Sequence, residues 1–268
     1  EVTARQLVLA GSGRLGKNRP MTSRKLLFAF VLSTSALAAC VPQRGAVSSV
    51  APPAKPTWAF EVSDVPVDED YRFGKLDNGM RYVIRSNATP KGQALVRMVV
   101  GAGSLDEADD ERGFAHFIEH MAFNGSTNVP EGEMVKLLER QGLAFGADTN
   151  ASTGFERTEY KLDLPRNDPA LLDTALMLMR ETASELTISQ AAVERERGVV
   201  LSEKRDRNTF ALRNFEDQMQ FLHPQARYPR RLPIGTEETL NNATADRLRA
   251  FWRREYVPAQ TTLLVIGD

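Results

Sequence analysis

The chain has 268 residues, 42% of them hydrophobic and 26% charged, which excludes an intrinsically disordered chain. Its 34 Lys+Arg balance 35 Asp+Glu to a net charge of −1, so there is no global pull toward nucleic acid or anionic lipid, and no nucleic-acid partner is expected. A single cysteine, Cys40, excludes an intrachain disulfide, and any site built on histidine must draw on His116, His120 and His223.

Residues 11–17, GSGRLGK, match the frame of a phosphate-cradling loop. Asn18 stands where the magnesium-binding hydroxyl should be, and Pro20 blocks the helix that would hold the phosphate, so nucleotide binding is not expected. Met21 reads as the true start, and residues 1–20 as upstream or non-native sequence. Residues 21–40, MTSRKLLFAFVLSTSALAAC, run basic, apolar, then small, the order of a secretory signal peptide. Their apolar part is too short to span a bilayer. Leu37-Ala38-Ala39-Cys40 resembles the lipobox of bacterial lipoproteins, which implies cleavage before Cys40 and lipid attachment to it. Val41 is not the Asp that favours inner-membrane retention in such lipoproteins. The expected location is therefore the periplasmic side of the bacterial envelope, as an outer-membrane lipoprotein that meets the membrane only through Cys40. Residues 41–57, rich in Pro, Ala and Ser, read as a flexible tether. Residues 58–268 form the folded domain, expected to be truncated at its C-terminal end.

Within that domain, alternating runs at 71–76 and 80–85 flank Asp77-Asn78-Gly79 and predict a β-hairpin. Residues 93–100 predict a third strand. Helical periodicity covers 113–123, with Gly125 able to end it, and 131–141, between Pro130 and Gly142. Residues 158–164, TEYKLDL, alternate as a half-buried strand. Asp168-Pro169 opens a helix to about 186, and Ser189 opens a highly charged one through at least 205. A helix at 247–256 and a strand at 261–266 close the chain. Hairpin pairing mixed with helices favours α+β over a doubly wound sheet.

The informative pentad is His116-Phe117-Ile118-Glu119-His120. On a helix, residues four apart share a face, so two imidazoles can converge on one ion. Glu119 lies beside them, close enough to take a proton from a water at the site. This H-x-x-E-H order marks the inverzincins. A catalytic zinc typically takes three protein ligands. His223 is one candidate for the third, in what reads as a loop before Pro224. The charged helix offers Glu196 and Glu203, seven residues and about two turns apart, one to bind metal and the other to orient a histidine.

Three segments in order, HFIEHMAFNGS, GADTNASTGFERTEYKLDLP and VERERGVVLSEKRDR, resemble the first domain of the pitrilysin/insulinase metallopeptidases, over about 71–268. The resemblance implies an antiparallel-rich mixed sheet with helices mainly on one face. It implies one Zn²⁺ held by His116, His120 and Glu203, with Glu119 as general base and Glu196 as the acid behind the ligands. It further implies a substrate-pairing edge strand within 145–153, centred on Asn150 and Ala151. Residues 228–236 resemble a family loop near the site, although Arg230 and Arg231 read equally well as solvated. Family members close two related halves around a peptide or unfolded protein, so a second half, in cis or as a partner subunit, is expected to be required. The alternative is a catalytically incomplete or non-catalytic binding subunit of the same fold.

Overall fold

The computed structural model describes residues 57–268. The expected signal peptide, the anchor at Cys40 and nearly all of the tether fall outside the described residues. Among the described residues no helix is long and apolar enough to cross a membrane.

Six strands form one sheet: β1 (Tyr71–Lys75), β2 (Arg81–Ser86), β3 (Ala94–Val100), β4 (Thr149–Thr153), β5 (Thr158–Leu164) and β6 (Thr261–Gly267), in the order β1-β2-β6-β3-β5-β4. The β1–β2 hairpin closes where the sequence predicts, with Gly79 at φ +94, a conformation a side chain would strain. Only β2 and β6 pair in parallel, since the intervening helices carry the chain back before β6 is laid down. β3 sits between β6 and β5, antiparallel to both. Its Ala94, Val96, Met98 and Val100 are buried while Leu95 is exposed, so one face carries most of the packing. β4 is an outer strand, joined to β5 by a tight hairpin in which Thr153 pairs Thr158.

The helices are α1 (Phe114–Met121), α2 (Glu133–Arg140), α3 (Pro169–Ser184), α4 (Gln190–Arg207), α5 (Phe210–Leu222), α6 (Glu237–Asn241) and α7 (Ala245–Glu255). The predicted starts of α3 and α4 hold. Asp168 accepts from the Ala170 N–H, and Ser189 from the Ala192 N–H, each satisfying an end group the helix leaves open. α5 and α6 have no counterpart among the helices the sequence predicts, and only the family resemblance implies a strand at β4.

α1 is buried almost all round, with Phe114, Phe117, Ile118 and Met121 in the core. Its N-cap, Gly113, has φ +96 and no side chain to offer. The cap comes instead from Glu107, fully buried, whose two carboxylate oxygens accept from the N–H groups of Gly113 (3.0 Å) and Ala115 (2.9 Å). Burial pushes this carboxyl up to about 8 against the pull of those two N–H groups. Glu107→Ala leaves both donors unmet and opens a cavity. Urea unfolding is expected to register a loss of about 2–4 kcal/mol, and an unchanged midpoint would refute the capping role.

Candidate metal centre

α1 and α4 pack against each other and between them supply every ionisable group of the site. On α1, His116 and His120 set their rings 4.8 Å apart between centroids and nearly perpendicular, at 85°. Across from them, Glu203 Oε2 lies 3.4 Å from His116 Nε2 and 3.3 Å from His120 Nε2. One donor atom from each of these three residues lies within 4.8 Å of the others.

Bonds of about 2.0–2.1 Å in a tetrahedral array separate neighbouring donors by roughly 3.3–3.4 Å. The two His–Glu separations fit that requirement. The other Glu203 oxygen meets the guanidinium of Arg207, one turn further along α4. Glu196 Oε2 lies 3.1 Å from His120 Nδ1, on the opposite side of the ring from the converging atoms. His116 Nδ1 is buried and has no partner among the described residues. Glu119 is not one of the three converging donors, and its Oε2 accepts from the Thr153 hydroxyl at 2.5 Å.

The structure thus brings together His116, Glu119, His120, Glu196 and Glu203. It leaves out His223, an exposed residue just past the end of α5. Asn150 and Ala151 lie on β4, opposite Lys161 and Tyr160 of β5; on the other edge Thr149 bridges to Phe145, and from Asn150 to Thr153 that edge pairs with no strand among the described residues. The Ala151 N–H is met by the side chain of Asn150 at 2.9 Å. Two residues at the site escaped sequence reasoning. Arg207 carried a signal, its i+4 spacing from Glu203. Thr153 carried none beyond its place in the polar segment. Arg231 is buried, contrary to the solvated reading.

Burial drives His116 down to about 3, aided by repulsion from His120 and Arg207. Burial also opposes charge on His120, yet its bond to Glu196 and the nearby carboxylates Glu119 and Glu203 outweigh it and raise its pKa. Glu119 is raised by burial, partly offset by the Thr153 hydroxyl and His120. Glu196 is lowered by its bond to His120. A neutral imidazole beside a reluctant carboxylate suits metal ligation next to proton transfer.

The insulinase (peptidase family M16) model matches residues 82–221. The chain belongs to the insulinase family. It is 36% identical over 206 residues to the "Probable zinc protease PqqL" of Haemophilus influenzae, a match that covers 77% of the chain and 22% of that protein. The first half of the periplasmic protease PqqL from Escherichia coli superposes with a TM-score of 0.74 at 37% identity, covering 76% of the chain and 44% of that structure. Pitrilysin superposes at 0.63 with 25% identity, covering 74% of the chain and 21% of that structure. The chain spans about a fifth of the length of the curated PqqL relatives it matches.

Two pH dependences follow for the metal-free chain. His116 stays neutral in the fold down to about 3, whereas it protonates near 6.5 when unfolded. Its contribution to stability is therefore full above about 6.5 and lost as pH falls toward 3. Urea unfolding should show wild type losing stability relative to His116→Gln over that window. His120 must instead give up a proton to bind metal. Zinc affinity, measured against a competing chelator, is expected to fall as pH drops from about 8 to about 5.

Proposed function

We propose that this chain is the zinc-binding first part of an endopeptidase that cleaves peptides or unfolded proteins. The observation that carries the reading is the convergence of His116 Nε2, His120 Nε2 and Glu203 Oε2, with Glu119 beside them on the same helix. The relatives' names as zinc proteases support the choice of metal, and an imidazole–imidazole–carboxylate set favours zinc among the common divalent ions.

In this reading His116, His120 and Glu203 hold the ion. Glu196 accepts from His120 Nδ1–H, which fixes the ring and leaves Nε2 free to ligate. Arg207 fixes the second oxygen of Glu203. A zinc ion bound there supplies Lewis acidity toward a water and the substrate carbonyl. Glu119 takes the proton of the attacking water at its carboxylate and returns it to the leaving amine. Its burial and raised pKa suit both steps. The free edge of β4, with Asn150 and Ala151, receives the substrate backbone as an added strand, which grips peptides without strict choice of sequence. The Thr153 hydroxyl ties Glu119 to that strand, so base and substrate register are set together.

Full activity requires a second half to close over this edge. The short span of the match along longer relatives supports that view. A periplasmic location is proposed from the leader-like residues 21–40 and from the E. coli relative described as a periplasmic protease.

The chain is expected to bind one zinc by metal analysis, lost in His116→Ala and in Glu203→Ala, and to cleave peptides poorly by itself. Joined to its second half, it should cleave a quenched fluorescent peptide library. Glu119→Gln should lower that rate by about 10²–10⁴ while zinc remains bound. Cleavage that survives Glu119→Gln would overturn the assignment of the base, and high turnover by the chain alone would overturn the need for a second half.

A further inference from the structure

An open cleft of about 630 Å³ is lined by Asp109, Arg112, Arg227, Arg230 and Arg231. Four guanidiniums face a single carboxylate. Among the described residues only Arg231 of the four pairs with an acid, Asp109. Arg112 Nε donates to the Asp109 carbonyl at 3.0 Å, Arg227 donates to the Glu107 carbonyl, and Arg230 reaches the Ala226 carbonyl at 3.4 Å. The neighbouring acids are committed elsewhere: Asp110 to Arg247, Glu111 to Arg254, and Glu107 to the start of α1.

The Arg231 side chain is only 6% exposed, yet its Nε is buried with no partner. Its one acid, Asp109, has a side chain 90% exposed at the rim. A guanidinium stays charged at any working pH, and one this buried calls for an anion; Nη2 meets Asp109 and Nη1 donates to the Arg230 carbonyl. The exposed Asp109 carboxylate already occupies the position that an incoming carboxylate would take.

The cleft is tied to the run-off end of β4. Past Thr153, the carbonyls of Gly154 and Phe155 accept from the N–H groups of Ser104 and Leu105 at 3.1 and 2.8 Å. The Ser104 hydroxyl donates to the Arg231 carbonyl at 2.5 Å. The Phe155 ring packs on Tyr228 with 4.0 Å between centroids. These contacts join the end of β4 to the segment that carries Arg227, Arg230 and Arg231.

We propose that this cleft binds a carboxylate of the peptide lying on β4, from an acidic side chain or a free C-terminus, with Asp109 displaced as it enters. The proposal rests on the peptidase reading above. It makes the enzyme selective for charge at one flank of the cleaved segment, although the edge strand itself reads only backbone.

Binding of labelled peptides to the zinc-loaded Glu119→Gln chain joined to its second half, followed by fluorescence anisotropy, tests it. A peptide with flanking Glu residues should bind about tenfold more tightly than its Gln counterpart, and added salt should shrink the difference. Comparing free-acid with amidated C-termini of both peptides tells side chain from terminus. The double variant Arg227→Gln/Arg230→Gln changes two exposed residues and is expected to keep its thermal midpoint and abolish the advantage. Asp109→Asn should strengthen acidic-peptide binding about threefold to tenfold, a gain that a purely structural Asp109 would not give. Equal affinity for acidic and neutral peptides, with both bound, would overturn the cleft proposal and leave the peptidase reading standing. Failure to bind any peptide would overturn both.

Discussion

The site depends on α1 being held in the core. α1 is only two turns long, and a helix of that length is unstable alone in water. It persists because Phe114, Phe117, Ile118 and Met121 are buried and because Glu107 satisfies its open N–H groups from within the interior. Once the helix is fixed, His116 and His120 have no freedom of approach: their backbone positions follow from the packing of the residues between them. The positioning of the imidazoles is therefore inherited from the hydrophobic core, the condition a site needs when tolerances are a fraction of an ångström.

α4 solves the complementary problem with charge. Only Ala192, Val193 and Val200 of its eighteen residues are buried. Two stripes run along the rest, each of residues seven apart. Glu196 and Glu203 face the histidines of α1. One position on, Arg197 donates to the carbonyls of Leu240 and Ala243, and Lys204 donates to the carbonyl of Gly235. Cations thus pin the helix to the 235–243 segment while anions are presented to the site. Rotating α4 to improve one set would spoil the other, so the carboxylates are held in place by bonds that never touch the metal position.

This arrangement explains what the sequence revealed and what it withheld. β3 and β5 alternate buried with more accessible residues, α1 carries a dense apolar run, and Asp168 and Ser189 cap helices locally, so each is readable from its own few residues. α5 is not. Leu212, Phe215 and Met219 recur at helical spacing and lie partly buried, but none of its residues is fully buried, and Phe210 and Phe221, 76% and 84% exposed, interrupt the pattern at either end. The H-x-x-E-H pentad was legible because a single helix builds it. The choice between Glu196, Glu203 and His223 was not, because α4 and α5 could be placed against α1 only by tertiary packing, and the preference for Glu203 came from family likeness. Thr153 and the buried Arg231 belong to the same class: their roles exist only where β4 and the 226–231 segment fold against distant residues.

The two histidines show how far context overrides residue type. They are identical, one turn apart and on one face, yet one is pushed toward neutrality and the other toward charge. His116 lies against the core with Nδ1 unpartnered, so charging it would have to overcome desolvation with little compensation. His120 is at the edge of the core, with Glu196 on Nδ1 and Glu203 before Nε2. The same contrast distinguishes the two glutamates. An imidazole has two nitrogens, and a carboxylate on Nδ1 holds the proton there, which makes Nε2 the lone-pair side. Glu196 therefore acts on the ring from behind, and only Glu203 is on the side where both Nε2 lone pairs can meet it. In the proposed reading, removing Glu196 would cost more than a carboxylate: it would remove the bond that selects the tautomer of His120, and Nε2 could then carry the proton instead of the lone pair the metal needs.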